Sequence, residues 1–107
     1  MAKDNKNKKE KRTVYFTLTG TNYFCGQAFL ESGMEVILKK EPDNKQDKEA
    51  IAVKLEGLGR MGYVANSPHT VKGESYSAGR IYDLFDDEAK ATVKYVLDYG
   101  AICAMEV

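Results

Sequence analysis

The chain carries very little that could do chemistry through a metal or a thiol. It has one histidine, His69, and two cysteines, Cys25 and Cys103. A structural zinc site takes about four ligands at short spacings, and no CxxC pair is present. No metal and no cofactor are therefore expected. No apolar run approaches the ~20 residues that span a bilayer. The Lys-rich start is not followed by an apolar segment, so it does not read as a secretory leader. Both absences point to a cytoplasmic protein with no membrane contact, whose thiols stay reduced and unpaired. Cys103 lies in an apolar segment and reads as a small core hydrophobe. The phosphate-cradling GxxxxGK and GxGxxG patterns are also missing.

A net charge is missing too, since 16 basic residues balance 16 acidic ones. The balance is uneven along the chain. Residues 1–12 hold Lys3, Lys6, Lys8, Lys9, Lys11 and Arg12 against Asp4 and Glu10, which leaves the rest acidic. Bulk electrostatics do not favour strong binding to a polyanion, although the basic tail adds non-specific attraction to phosphates. That tail has almost no apolar side chains and is expected to be disordered.

What is present is one domain's worth of β-patterned sequence. A chain of 107 residues suits a single domain, here 13–107, and 43% hydrophobic content is ordinary for one. From Thr13, the residues Val14, Phe16 and Leu18 alternate with Tyr15, Thr17 and Thr19, a period-2 strand ending at Gly20. Asn22 to Gly26 is an aromatic segment bounded by glycine, with Phe29 and Leu30 as anchors for the loop after it. Met34, Val36 and Leu38 mark a second strand, and Ile51, Val53 and Leu55 a third. Between them, Glu41 to Lys48 is a polar loop with Pro42, Asp43 and Asn44. Gly57-Leu58-Gly59 is a hairpin turn into a fourth strand, Arg60 to Val64. Ser67-Pro68 reads as a helix start cut short by Gly73. Ser77 caps a second short helix carrying Ile81, Leu84 and Phe85. Ala91, Val93, Tyr95 and Leu97 alternate along a fifth strand, and Ala101 to Val107 is an apolar sixth. That last strand either closes a barrel or pairs across a dimer, so the oligomeric state stays open. Six short strands with one or two short helices predict a mainly β fold, a small OB-like or SH3-like barrel whose closure removes exposed edges.

No catalytic constellation emerges. Ser67 and Thr70 flank His69, but near neighbours on a helix do not face each other. Glu41, Asp43 and Asp47 cluster in one loop, yet Lys45 occupies a position where a calcium loop needs an oxygen ligand. The chain therefore reads as a binding protein rather than an enzyme. Its candidate contact groups are the aromatics Tyr23, Phe24 and Tyr63 beside polar loops.

Four ordered pieces carry a resemblance over about residues 14–97. They are Gly20 with Tyr23-Phe24 and Gly26; Met34 to Leu38 running into Glu41-Pro42-Asp43-Asn44; Asp47 followed by Glu49 to Val53; and Gly59 to Val64. Together they resemble the HIRAN family, a module also found in large DNA-remodelling helicases. Ala65-Asn66-Ser67 and Ser77 to Tyr82 resemble its short stand-alone bacterial branch. The resemblance implies an OB-like barrel that captures single-stranded DNA at a 3′ end. It implies that Tyr23 stacks on a base, that Asn44 and Asp47 line the pocket for the terminal nucleotide and its hydroxyl, and that Tyr63 sits at the pocket edge. The DNA-binding helicase members carry arginine, tyrosine and lysine where this chain has Asn22, Gln46 and Asn66. The candidate nucleic-acid contacts are thus Tyr23, Phe24, Asn44, Gln46, Asp47, Tyr63 and Asn66. Arg60, Lys72 and Arg80 are candidate substitutes for the missing phosphate contacts. Asp47 has a second reading, as a carboxylate that fixes its own loop. The whole module has one too, as a protein-interaction domain that kept the barrel and lost the DNA contacts.

Overall fold

A computed structural model describes residues 12–24 and 26–107; the basic tail before Arg12 and the Cys25 thiol lie outside the described residues. Six strands form: β1 (Thr13–Thr19), β2 (Glu35–Lys40), β3 (Ile51–Leu55), β4 (Gly59–Val64), β5 (Glu88–Val96) and β6 (Ala101–Glu106). They close into a barrel in the order β1-β4-β3-β2-β5-β6, and every neighbouring pair is antiparallel. The period-2 strands put Val14, Phe16, Leu18, Val36, Leu38, Ile51, Val53 and Val93 in the core. The apolar last strand closes the barrel by pairing with both β1 and β5.

One seam is short. β1 meets β4 only at Leu18↔Val64 and Thr19↔Tyr63. The rest of that edge of β1 is covered by 65–77. Ala65 N donates to Thr17 O at 2.8 Å and Tyr76 N to Tyr15 O at 2.7 Å. Thr17 is buried by this cover, and its hydroxyl is satisfied by Ser75 Oγ at 2.8 Å and Lys72 N at 3.1 Å. The segment then enters α1 (Ala78–Ile81), where Ser77 Oγ accepts from Arg80 N at 3.3 Å, the predicted cap. Ala78 and Ile81 join the core.

Several local expectations give way to tertiary context. Ser67-Pro68 starts only one turn, closed by Thr70 N and Val71 N on Ser67 O, because no apolar stripe follows for a helix to bury. The aromatic segment after Gly20 begins as a 3-10 turn (Thr21–Phe24). Leu30 anchors its loop as expected, but Phe29, on the second 3-10 turn (Gln27–Phe29), stands 52% exposed. Tyr95 is also exposed, because the β5–β6 register skips Lys94 and reverses the alternation after Val93. Cys103 is fully buried, and burial pushes its thiol up to about 12, outside thiolate chemistry at neutral pH. Among the described residues no helix is long and apolar enough to cross a membrane.

Two glycines let backbones meet at the closing end of β1. A Cβ on Gly100, whose φ is +91°, would lie 2.0 Å from Leu18 O; one on Gly62 would lie 2.4 Å from Thr19 O. Gly100→Ala and Gly62→Ala are each expected to destabilise the fold by roughly 3 kcal/mol or more. Leu58→Ala, at the exposed hairpin tip, should stay within about 0.5 kcal/mol of the parent. Urea-unfolding midpoints check the contrast.

Candidate nucleic-acid interface

The loop 41–50 is built by its own short polar side chains. Glu41 N donates to Ala50 O at 2.8 Å and extends the β2–β3 ladder by one rung. Asn44 Oδ1 then accepts from Gln46 N at 2.9 Å and Asp47 N at 3.0 Å, an Asx-type turn. Asp47 Oδ1 accepts from Glu49 N at 2.9 Å. Asn44 and Asp47 are thus held rigidly, and the loop-fixing role weighed for Asp47 is visible in these bonds.

A charged and aromatic cluster stands beside this loop, with Glu41 at its centre. The carboxylate accepts from Tyr63 OH at 2.7 Å, Arg60 Nη2 at 2.8 Å and Asn44 Nδ2 at 3.2 Å. Arg60 also lies 5.6 Å from the Tyr63 ring centroid and 5.8 Å from that of Phe24. Phe24 and Tyr63 are 6.2 Å apart and tilted at 51°. Burial alone pushes the Glu41 carboxyl up. The bonds from Tyr63 and Asn44 and the Arg60 guanidinium outweigh it and hold the group below its ordinary value. Burial and the bond to Glu41 together push the Tyr63 hydroxyl up.

Arg60 and Tyr63 should not face the same way, because residues three apart on a regular strand point to opposite faces. The β3–β4 register resolves this. Val53 pairs with Gly62 and Lys54 with Arg60, so Met61 is an extra residue on β4. The bulge returns Arg60 to the side of Tyr63. In the sequence Glu41 stands out as an ill-suited calcium ligand and as the first residue of the Glu41-Pro42-Asp43-Asn44 motif, neither of which gives it a place in an aromatic cluster. The available signal for its true role was its i, i+3 spacing to Asn44 in a turn.

A groove of about 290 Å³ opens between the loop and β4. Asn44, Gln46, Asp47, Tyr63 and Asn66 line it over a floor of Ala50 and Val64. Asn66 bridges two elements: Nδ2 donates to Asp47 Oδ2 at 2.9 Å, and Oδ1 accepts from Gly79 N at 2.9 Å. Five of the seven candidate contacts therefore converge. Phe24 reaches the cluster through Tyr63, while Tyr23 is 87% exposed beside it and does not line the groove. The three candidate cations separate. Arg60 is paired with Glu41. Lys72 lines another concavity with Leu97, Asp98 and Tyr99. Arg80 lies 3.9 Å over the Tyr76 ring.

The HIRAN domain family matches this chain over residues 11–98. The crystal structure of a Lactobacillus plantarum protein, a structural-genomics target, is similar at a TM-score of 0.55 and 21% sequence identity. The match covers 91% of this chain and 98% of that one, and it bears on the fold alone. No curated protein matches the chain.

The lowered Glu41 carboxyl makes a signed prediction. A carboxylate depressed on folding contributes stability that is complete above its unfolded value, here 4.5, and that fades as pH falls through the lower folded value. Glu41→Gln should therefore be less stable than the parent at pH 7. The gap should narrow as pH drops below 4.5. Urea midpoints at pH 7, 5 and 3.5 measure it; a gap that does not change with pH would show that the carboxylate charge is not what the cluster uses.

Proposed function

The chain belongs to the HIRAN domain family, and from that premise we propose that it is a non-catalytic module binding single-stranded DNA, with the 3′-terminal nucleotide in the groove beside Tyr63. The family is one of nucleic-acid-binding domains, which sets the class of ligand. The observation that carries the finer reading is the convergence of Asn44, Gln46, Asp47, Tyr63 and Asn66 on one groove. Those side chains supply amide and carboxylate groups suited to base edges and sugar hydroxyls. Asp47 uses one hydrogen bond per oxygen within the protein, and a carboxylate has about four acceptor sites. Fixing the loop and accepting a hydroxyl are therefore compatible. Tyr23, on its short turn, offers an open ring face, and base stacking on such a ring contributes about 1–3 kcal/mol.

A second reading has its own support. Among the described residues Asp47 is the one ionised side chain lining the groove, and the nearby Arg60 is paired with Glu41. A groove of this sign suits a peptide ligand with hydrogen-bond donors, so a protein-interaction module on the same barrel is the alternative.

Anisotropy of short labelled single strands, with free or blocked 3′ ends and at low and moderate salt, separates the two. Free ends should bind better. Tyr23→Ala should weaken binding roughly fivefold or more, in line with a lost stack. Gln46→Tyr, which restores a ring present in the helicase members, should tighten it. Absence of binding at tens of micromolar, or indifference to Tyr23→Ala, would sink the DNA reading.

A further inference from the structure

Among the described residues no lysine or arginine lines the groove: the nearby Arg60 is paired with Glu41, and Asn66 is engaged with Asp47 and the Gly79 amide. A strand held in the groove therefore needs its phosphate charge met elsewhere. A second concavity of about 490 Å³ adjoins the groove, sharing Asn66 and Ser67 with it, and Arg80 is among its lining residues. Its volume falls within the about 300–1,000 Å³ range usual for ligand sites.

Arg80 is prepared for such a contact. Its guanidinium lies 3.9 Å over the Tyr76 ring, and among the described residues no hydrogen bond or ion pair to a carboxylate engages it. The ring is itself anchored, since Tyr76 N donates to Tyr15 O at 2.7 Å and the residue bridges to Phe16. A stacked, planar guanidinium has its orientation set in advance and keeps its N–H edge for an anion. Arg60 lacks this freedom, being bound to Glu41. Lys72 belongs to a concavity that shares no lining residue with the groove. Glu74 also lines the Arg80 concavity, so the site carries one charge of each sign.

We propose that the concavity lined by Arg80 is a second subsite, which takes the sugar-phosphate of the nucleotide preceding the one in the groove. The inference rests on the single-strand reading and adds a direction to it: the 3′-terminal base is the one left to stack on Tyr23, while the backbone leaves the groove across Asn66 and Ser67 toward Arg80, not past Tyr63 toward Arg60. Arg80 supplies the phosphate contact that the Asn66 position does not.

The test uses the full chain and short single strands across a salt series. Each phosphate contact on a single strand contributes about 0.7 to the slope of log K against log salt. Arg80→Gln should lower the slope by about that amount and weaken binding roughly tenfold or more at low salt. Arg80→Lys should keep the slope and bind more weakly than the parent, since the charge stays and the stack goes. Lys72→Gln should leave the slope unchanged. A strand with an uncharged methylphosphonate at the linkage next to the 3′ nucleotide should bind the parent as weakly as a normal strand binds Arg80→Gln. The variant itself should not distinguish the two strands. Melting curves confirm that each variant is folded. If the parent binds strands and Tyr23→Ala weakens it, but Arg80→Gln keeps the full slope, the subsite is wrong and the groove reading stands. If the parent binds no strand, both fall together.

Discussion

Closure of the barrel at the end of β1 is the constraint on which the rest depends. Leu18 and Thr19 are held on one side by β6 and the Gly100 turn, and on the other by a seam of only two residue pairs with β4. Both approaches are too close for a Cβ, so glycine stands at 62 and at 100. Without this seam a six-stranded sheet of this size would leave two open edges. With it, Tyr63 is registered opposite Thr19, and the chain leaving β1 turns at once into the segment that carries Tyr23 and Phe24. The pairing of Phe24 with Tyr63 is thus a consequence of how the barrel closes.

Gln27 reinforces the same junction. Its amide accepts from Thr21 Oγ1 at 2.6 Å and from Gly100 N, and donates to Leu97 O at 2.7 Å. One side chain ties the aromatic turn to the β5–β6 turn, 70 and 73 positions away. The segment bearing the exposed Tyr23 ring is therefore anchored at both ends, although the ring itself stands in solvent. A ring on an anchored turn loses less conformational freedom on stacking than one on a free loop.

The groove follows a similar logic. Its polar residues are mostly engaged with one another: Asn44 holds the loop, Asp47 accepts from Glu49 N and Asn66, and Asn66 reaches across to Gly79 at α1. Such a network keeps donors and acceptors oriented before a ligand arrives and leaves carboxylate lone pairs for it. Glu41 makes the neighbouring cluster nearly neutral by taking up Arg60, which gives this end of the barrel shape and stacking surface but little free positive charge.

The β class, the number of strands, most of the core, the Ser77 cap and the polar loop 41–50 are legible in residue order. Periodicity, capping and turn chemistry act over a few residues, and they leave a readable mark. Ordered motifs along the chain also named Asn44, Asp47 and Tyr63 as candidate contacts, and these three line one groove. Tertiary structure alone decided which of these meet. The Met61 bulge turns Arg60 and Tyr63 to the same side, and a similar register skip at Lys94 exposes Tyr95. Glu41 gains its partners 19 and 22 positions away through that register. Phe29 faces outward because neighbouring segments, not local propensity, determine what is buried. A one-residue change in register moves every later side chain to the opposite face, and register is a property of the closed sheet rather than of any one strand.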